Sequence, residues 1–265
     1  MGRTKKLTKR RRKSSPSTQG AQTRDMPDLK RTIPKVIHQV YGMFGDGIPI
    51  QEIPVFSENV QKTKAFCKTH KIRHKMWGLP QATKLIQTLE AREQKKPGDK
   101  IPFRELWTSP RFQEQPILKA DFIRYCILYE EGGLYVDCDI HPIRSLLRLF
   151  RMPFFFVTWS NDKKQLPYNA VLGTYPHNPL YREILTACGV SFYEKLAIPI
   201  YKTWKGRFVF QTTGHFMLQR VLKSHPTSHI LKDVLLIHGK GRTTPIGDPH
   251  TALFEDANAS VWYGK

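Results

Sequence analysis

Long apolar runs are missing from this chain. Nothing approaches the roughly 18 consecutive apolar residues of a membrane-crossing helix, and the longest candidate, MPFFFVTW, is far shorter. An integral helical membrane segment is therefore not expected. The first residues are basic but are followed by no apolar segment, so they lack the pattern of a secretory signal. They contain no acid, as in a mitochondrial presequence, yet they also lack an apolar face. The expectation is a cytoplasmic protein.

Cysteine is scarce as well. Cys67, Cys126, Cys138 and Cys188 are widely spaced with no CxxC, which argues against a zinc ribbon or a small disulfide scaffold and for a reducing compartment. The segment CKTHKIRH places Cys67, His70 and His74 at spacings that would open a zinc site, but no second half with ligand spacing follows. Surface residues of a helix and its exit are the expectation there. No repeat of fixed period is present, which excludes solenoids and propellers.

Acids are few: 22 Asp and Glu stand against 43 Lys and Arg, for a net charge of +21. Residues 1–24 carry nine of the basic residues and no acid, leaving 34 basic against 22 acidic in the remainder. Such a body attracts nucleic acid, anionic lipid or a nucleotide diphosphate, and charge alone does not choose among them. Residues 1–30 are too poor in apolar side chains to order themselves and read as a disordered basic tail. Within it, KKLTKRRRK has the composition of a nuclear-targeting or polyanion-binding patch, or of a plain solubility tail.

What is present is a globular composition, 265 residues with 40% hydrophobic side chains, enough for one sizeable α/β domain over residues 31–265. TIPKVIHQVYG reads as a buried first strand. SENVQKTKAFCKTH reads as a helix capped by Ser57, with Val60, Lys64/Ala65 and Cys67 in phase. IRHKMW reads as a strand, and LPQATKLIQTLEAREQ as a helix. PILKADFIRYCILYEEGG is a helix stopped by Gly132 and Gly133, followed by the strand LYVDCDI. PFFFVTW and DVLLIHG are further strands, while PLYREILTACGVSFYEKL and part of FQTTGHFMLQRVLKSH are helices. The alternation predicts a mostly parallel sheet covered by helices, because parallel neighbours need crossover connections.

Two constellations carry chemistry. Asp137 and Asp139 stand one residue apart at the end of a buried-type run containing Tyr135. On an extended strand, i and i+2 share a face, so the two carboxylates would converge and raise each other's pKa unless a divalent cation lay between them. Magnesium or manganese takes one or two carboxylates and completes its shell with water and substrate phosphate. On the preceding helix Asp121, Arg124, Tyr125 and Leu128 share a face. There Asp121 would accept from sugar or ribose hydroxyls and Arg124 would donate to a diphosphate or a hexose.

Together, KADFIRYCILYEEGGLYVDCDIHPI resembles the signature of the DXD-type glycosyltransferases that share the sugar-binding region of fungal Golgi α-mannosyltransferases and bacterial glucosylating toxins. IPKVIHQVYG is similar to that family's first strand, and YNAVLGTYPHNPLYREIL to its segment after the DxD. The resemblance implies a GT-A nucleotide-sugar fold and a metal-dependent, configuration-retaining transfer of a hexose from a UDP- or GDP-linked donor to a glycan, glycolipid or protein acceptor. It implies that Val40 and Tyr41 contact the base, although most relatives carry tryptophan where Tyr41 stands. Asp121 and Arg124 would hold ribose and sugar, Tyr135 would line the donor site, and Asn169 would lie near the donor sugar. Asp139, with Asp137 directly or through water, would hold manganese or magnesium, and His250 and Trp262 would close over the metal and leaving group. His215 replaces a proline usual after that glycine, and Val261 separates a Ser260/Trp262 pair that is contiguous in relatives.

Two other classes compete. A nucleic-acid-binding protein suits the tail and the basic body, but no zinc finger, basic zipper or RNA-binding signature is present, so nucleic acid is expected at most through the tail. A metal-dependent nuclease or phosphohydrolase also uses paired aspartates, but it more often needs further acidic ligands for a second ion.

Overall fold

The computed structural model describes residues 31–43, 47–98, 100–158, 167–203, 205–223, 225, 230–231, 236–238 and 252–257. The basic tail read from residues 1–30 lies outside the described residues.

The chain opens with β1 (Val36–Val40), α1 (Pro54–Thr69), β2 (Arg73–Trp77) and α2 (Leu79–Glu93). Two short helices, α3 (Phe103–Thr108) and α4 (Pro110–Glu114), lead into α5 (Pro116–Glu131). There follow β3 (Gly133–Val136), β4 (Ile140–Pro142), α6 (Leu147–Phe150), β5 (Phe154–Thr158), β6 (Pro167–Thr174) and α7 (Pro179–Leu196). The last elements are α8 (Ile200–Thr203), α9 (Lys205–Thr212), α10 (His215–Leu222), β7 (Ile230–Leu231), β8 (Leu236–His238) and β9 (Phe254–Asp256).

The main sheet has six strands in the order β2-β1-β3-β6-β5-β7. β1 runs parallel to β2 and β3, and β5 parallel to β7. β6 runs antiparallel to both of its neighbours. Five strands thus point one way and β6 the other, which is the mixed α/β architecture expected. A second sheet, β4-β9-β8, is small.

Both faces of the main sheet are covered, and period-2 alternation along β3 and β5 separates them. Tyr135, Phe154, Phe156 and Leu172 join the core built with α2, α3, α5, α7, α9 and α10. Ile37, Leu134, Val136, Phe155, Val157 and Val171 join a second core with Cys67 of α1, Leu146, Leu149 and Phe150 around α6, and Phe254 of β9. Helix α5 lies between the sheet and α7. It is buried all round from Leu118 to Tyr129 apart from Ala120, as a helix enclosed by other elements must be.

Four sequence expectations change. Helix α1 starts at Pro54 with Ile53 as its flank, so Ser57 is not its cap; proline at the first helical position already has the required φ. Its buried side chains are Asn59, Val60, Thr63 and Cys67, while Lys64 and Ala65 face solvent. Cys67 is a core residue, only 2% exposed, and burial pushes its thiol up to about 11. LYVDCDI is not one strand: β3 ends at Val136, the chain turns, and β4 joins the other sheet.

Candidate functional site

Helix α5 brings Asp121 and Arg124 to the edge of the sheet where β1 and β3 end. One turn apart and facing the sheet, both are about 4% exposed. Arg124 spreads its fork over four acceptors. Its Nη2 lies 3.0 Å from Asp121 Oδ1, and its Nη1 lies 3.3 Å from Asp137 Oδ1. Nη1 also donates to the Asn169 carbonyl at 2.8 Å, and Nε to the Ala120 carbonyl at 3.1 Å. The guanidinium carbon sits 4.7 Å from the centre of the Tyr135 ring. Burial by itself would pull the Arg124 pKa down, but Asp137, Tyr135 and Asp121 push it above its ordinary value. A guanidinium matches this role because it stays charged when buried and binds carboxylates in a fixed plane.

The Asp121 carboxylate is held on all sides. Besides Arg124, Asn169 Nδ2 donates to Oδ1 and Thr213 Oγ1 donates to Oδ2, each at 3.0 Å. Burial raises its pKa, and Arg124 together with Thr213 opposes the rise. Three of a carboxylate's roughly four acceptor directions are thereby used.

Asp137 and Asp139 do not converge by strand periodicity. Ile140 N donates to the Asp137 carbonyl at 3.1 Å, closing a turn through Cys138 and Asp139. The turn is pinned from three directions. Asp137 N donates to the Ala170 carbonyl, and Ala257 N donates to the Asp139 carbonyl, each at 2.9 Å. Cys138 Sγ donates to the Val40 carbonyl at 3.3 Å. His74 Nε2 donates to Gln39 Oε1 at 2.9 Å, and Gln39 Nε2 donates to the Asp137 carbonyl at 3.2 Å. The Asp137 side chain is 29% exposed. Its Oδ1 takes both Arg124 and a short hydrogen bond from the Tyr135 hydroxyl, whereas its Oδ2 has no hydrogen bond from a described residue. Burial pushes its carboxyl up, and Arg124 and the Tyr135 hydroxyl pull it back. Asp139 is half-buried on the same turn.

Tyr41 follows directly on β1. Its N–H continues the β1–β2 ladder to the Trp77 carbonyl at 3.0 Å, its hydroxyl donates to the Ile48 carbonyl at 2.8 Å, and its ring meets Phe56 edge-on at 6.0 Å. Val40 is buried and reaches the DxD turn through its carbonyl. The structure thus gathers Val40, Asp121, Arg124, Tyr135, Asp137, Asp139 and Asn169 at one end of the sheet. His250 and Trp262, and the pair with Ser260, lie outside the described residues.

Sequence reasoning missed Thr213, which holds Asp121, and Gln39 with His74, which hold the turn. It also missed Tyr168 and Asp256, joined by a 2.9 Å hydrogen bond, with Asp137 and Asp139 acting on the Tyr168 hydroxyl. For Thr213 the doubled threonine ahead of Gly214 was a signal. Asp256 gave none, because only the pairing of β9 with β4 brings it here.

The family model described as "glycosyltransferase sugar-binding region containing DXD motif" matches residues 12–161, more than half of the sequence. The chain belongs to this family. Among curated proteins it is 27% identical over 215 residues to the mannosyl phosphorylinositol ceramide synthase SUR1 of Saccharomyces cerevisiae, covering 79% of this chain and 47% of that protein. It is 26% identical over 150 residues to an uncharacterised glycosyltransferase of Acanthamoeba polyphaga mimivirus, covering 56% and 53%. The yeast synthase CSH1 is 31% identical over 115 residues, covering 43% and 28%. The chain spans about half the length of the first two. Among solved structures, the PaToxG glycosyltransferase is 17% identical with a TM-score of 0.44, covering 72% of this chain and 68% of that one.

Proposed function

We propose that this protein is a metal-dependent, retaining glycosyltransferase that moves a hexose from a UDP- or GDP-linked donor to an acceptor hydroxyl of a glycan, glycolipid or protein. One observation carries the reading. A single buried guanidinium, Arg124, is held between Asp121 of α5 and Asp137 of the DxD turn, within the stretch that matches the family. The names of two relatives speak of a mannosyl group and of phosphorylinositol ceramide, so a mannosyl donor and a lipid acceptor are the first pair to test.

The donor set fits a hard divalent ion. Asp137 Oδ2 is uncommitted to the described residues, and Asp139 lies on the same turn. Among the described residues no group of three or more His, Cys, Asp or Glu side chains surrounds the turn. Such an ion, manganese or magnesium, takes one or two carboxylates and completes its shell with water and phosphate oxygens. When bound it would supply positive charge to the donor diphosphate.

The residues divide the remaining work. Arg124, kept charged in a dry site, faces the negative charge that develops on the departing diphosphate. Asp121 and the Asn169 carbonyl fix that guanidinium, Thr213 fixes Asp121, and the acceptor direction left on Asp121 is offered to a ribose or sugar hydroxyl. Tyr41, half-exposed at the end of β1, offers a ring face to the base. Asp121 and Asp137 are both paired with Arg124, which disfavours either as a covalent nucleophile and supports attack on the same face. The acceptor oxygen bonds to the anomeric carbon as the carbon–oxygen bond to the diphosphate breaks, and the acceptor proton passes to the departing diphosphate oxygen.

A thermal-shift screen of UDP- and GDP-sugars, with and without manganese, tests the reading. One base is expected to stabilise the protein in a metal-dependent way, by about 2.7 kcal/mol at a hundredfold excess over Kd. The same donor should release nucleoside diphosphate. Metal-independent nucleic-acid binding, or phosphodiester hydrolysis, with no response to any nucleotide sugar would defeat the proposal.

A further inference from the structure

Six large hydrophobic side chains are more than one-third exposed among the described residues, and five fall within one stretch: Val190, Tyr193, Leu196, Ile198 and Ile200. Single exposed leucines are ordinary; a contiguous set is informative. Val190, Tyr193 and Leu196 recur every third residue on the outer side of α7, so they form one stripe along the helix. The stripe then runs on through the corner into α8, where Leu196-Ala197-Ile198-Pro199-Ile200 is apolar and exposed at every position. The corner is ordered: Ile198 N donates to the Lys195 carbonyl and Tyr201 N to the Ile198 carbonyl, each at 3.1 Å, and Arg111 Nη2 donates to the Tyr201 carbonyl.

Its border is basic on the α8–α9 side, whereas on α7 the exposed Glu194 lies 3.7 Å from Lys195 and Glu105 accepts a hydrogen bond from the Tyr193 hydroxyl. From Lys195 to Arg207 the sequence holds Lys195, Lys202, Lys205 and Arg207 and no acid. Lys205 and Arg207 are exposed on α9 directly beyond the corner. A short apolar tip flanked on its α9 side by Lys and Arg is the composition of a surface that sits in the headgroup layer of an anionic bilayer, apolar side chains inserted and cations at the phosphates. A second copy of the chain fits less well, since a stable dimer needs about 800 Å² and about 20 residues from each partner. A polyanion without acyl chains would leave the five apolar side chains unused.

The corner also leads to the candidate site. Helix α9 starts five residues after Ile200 and is eight residues long, about 12 Å at 1.5 Å per residue. The residue after it, Thr213, holds the Asp121 carboxylate. We propose that the Val190–Ile200 stripe and its basic border dock this protein on an anionic lipid bilayer, with the site held close to the headgroup plane. Docking does not depend on glycosyl transfer being the reaction, so the two readings fail separately.

The test uses the full chain and vesicles of phosphatidylcholine with or without phosphatidylserine. Co-sedimentation is expected only with phosphatidylserine present. Ile198→Asp combined with Ile200→Asp should lower partitioning by about tenfold per residue, the effect of losing a buried isoleucine side chain, while melting temperature and donor turnover stay unchanged. In a separate variant, Ile200→Trp, indole emission should shift to the blue on binding and be quenched by brominated acyl chains. Vesicle binding that survives the double substitution with an unquenched Ile200→Trp would show attraction by charge alone and overturn the proposal. So would a concentration-dependent dimer, or RNA binding of equal affinity, abolished by the same substitutions.

Discussion

Arg124 concentrates the electrostatics of the site in one side chain. Its spacing from Asp121 was legible in the sequence, because positions three apart share a helical face. Its contacts with Asp137 and the Asn169 carbonyl were not, because they depend on how α5 lies across β3 and β6. Arg124→Lys keeps the charge but loses the planar fork, which one ammonium cannot replace. Turnover of the nucleotide-sugar donor is expected to fall by about 10² or more, and steady-state kinetics would show it; unchanged turnover would remove Arg124 from the diphosphate. Arg124→Ala additionally strands the buried Asp121 carboxylate and removes the cation beside the part-exposed Asp137, at a cost of about 3–5 kcal/mol measurable by denaturant unfolding.

At the scale of elements, the corner between α5 and β3 decides where the DxD turn falls. Gly132 and Gly133 have φ of 65° and 92°, which non-glycine residues rarely adopt. A Cβ on Gly133 would lie 2.5 Å from Val36 Cγ1 and 2.9 Å from the Val36 carbonyl oxygen. Gly133→Ala therefore combines backbone strain with a clash against the neighbouring strand β1. A loss of about 2–4 kcal/mol is expected, read from the urea midpoint; a neutral result would show that the corner can relax. The Gly-Gly stop was legible in sequence. The break after Val136 was not, since Ile140 leaves the strand path to pair with Asp256 of β9, and local pattern carries no information about so distant a partner.

At the scale of the molecule, His38 ties three elements together. It is fully buried. Trp77 Nε1 of β2 donates to its Nδ1 at 3.0 Å, and its own Nε2 donates to the Gly132 carbonyl at 3.0 Å. Burial lowers its pKa from 6.5 to about 3. Between those values the unfolded chain holds a proton that the folded chain does not. The stabilisation from neutral His38 is thus full above pH 6.5 and falls by up to about 1.4 kcal/mol for each pH unit below it. Asp121 and Asp137, whose pKa values are raised, act in the opposite sense in the acid range, so the contribution of His38 is isolated by comparison with a variant. Urea midpoints for His38→Gln are expected to decline less steeply than wild type from pH 6.5 downward, and parallel curves would refute this assignment.

The sequence by itself determined the α/β class, most helices and strands, the Gly-Gly stop and the family, because these rest on residue pattern and local backbone preference within a few turns of chain. Tertiary structure alone decided that β6 runs against its neighbours, that the two aspartates lie on a turn instead of a strand face, that Cys67 belongs to the core, and that Thr213, Tyr168 and Asp256 reach the site. Each of these depends on contacts between segments far apart in the chain, formed when both faces of the sheet are buried at once.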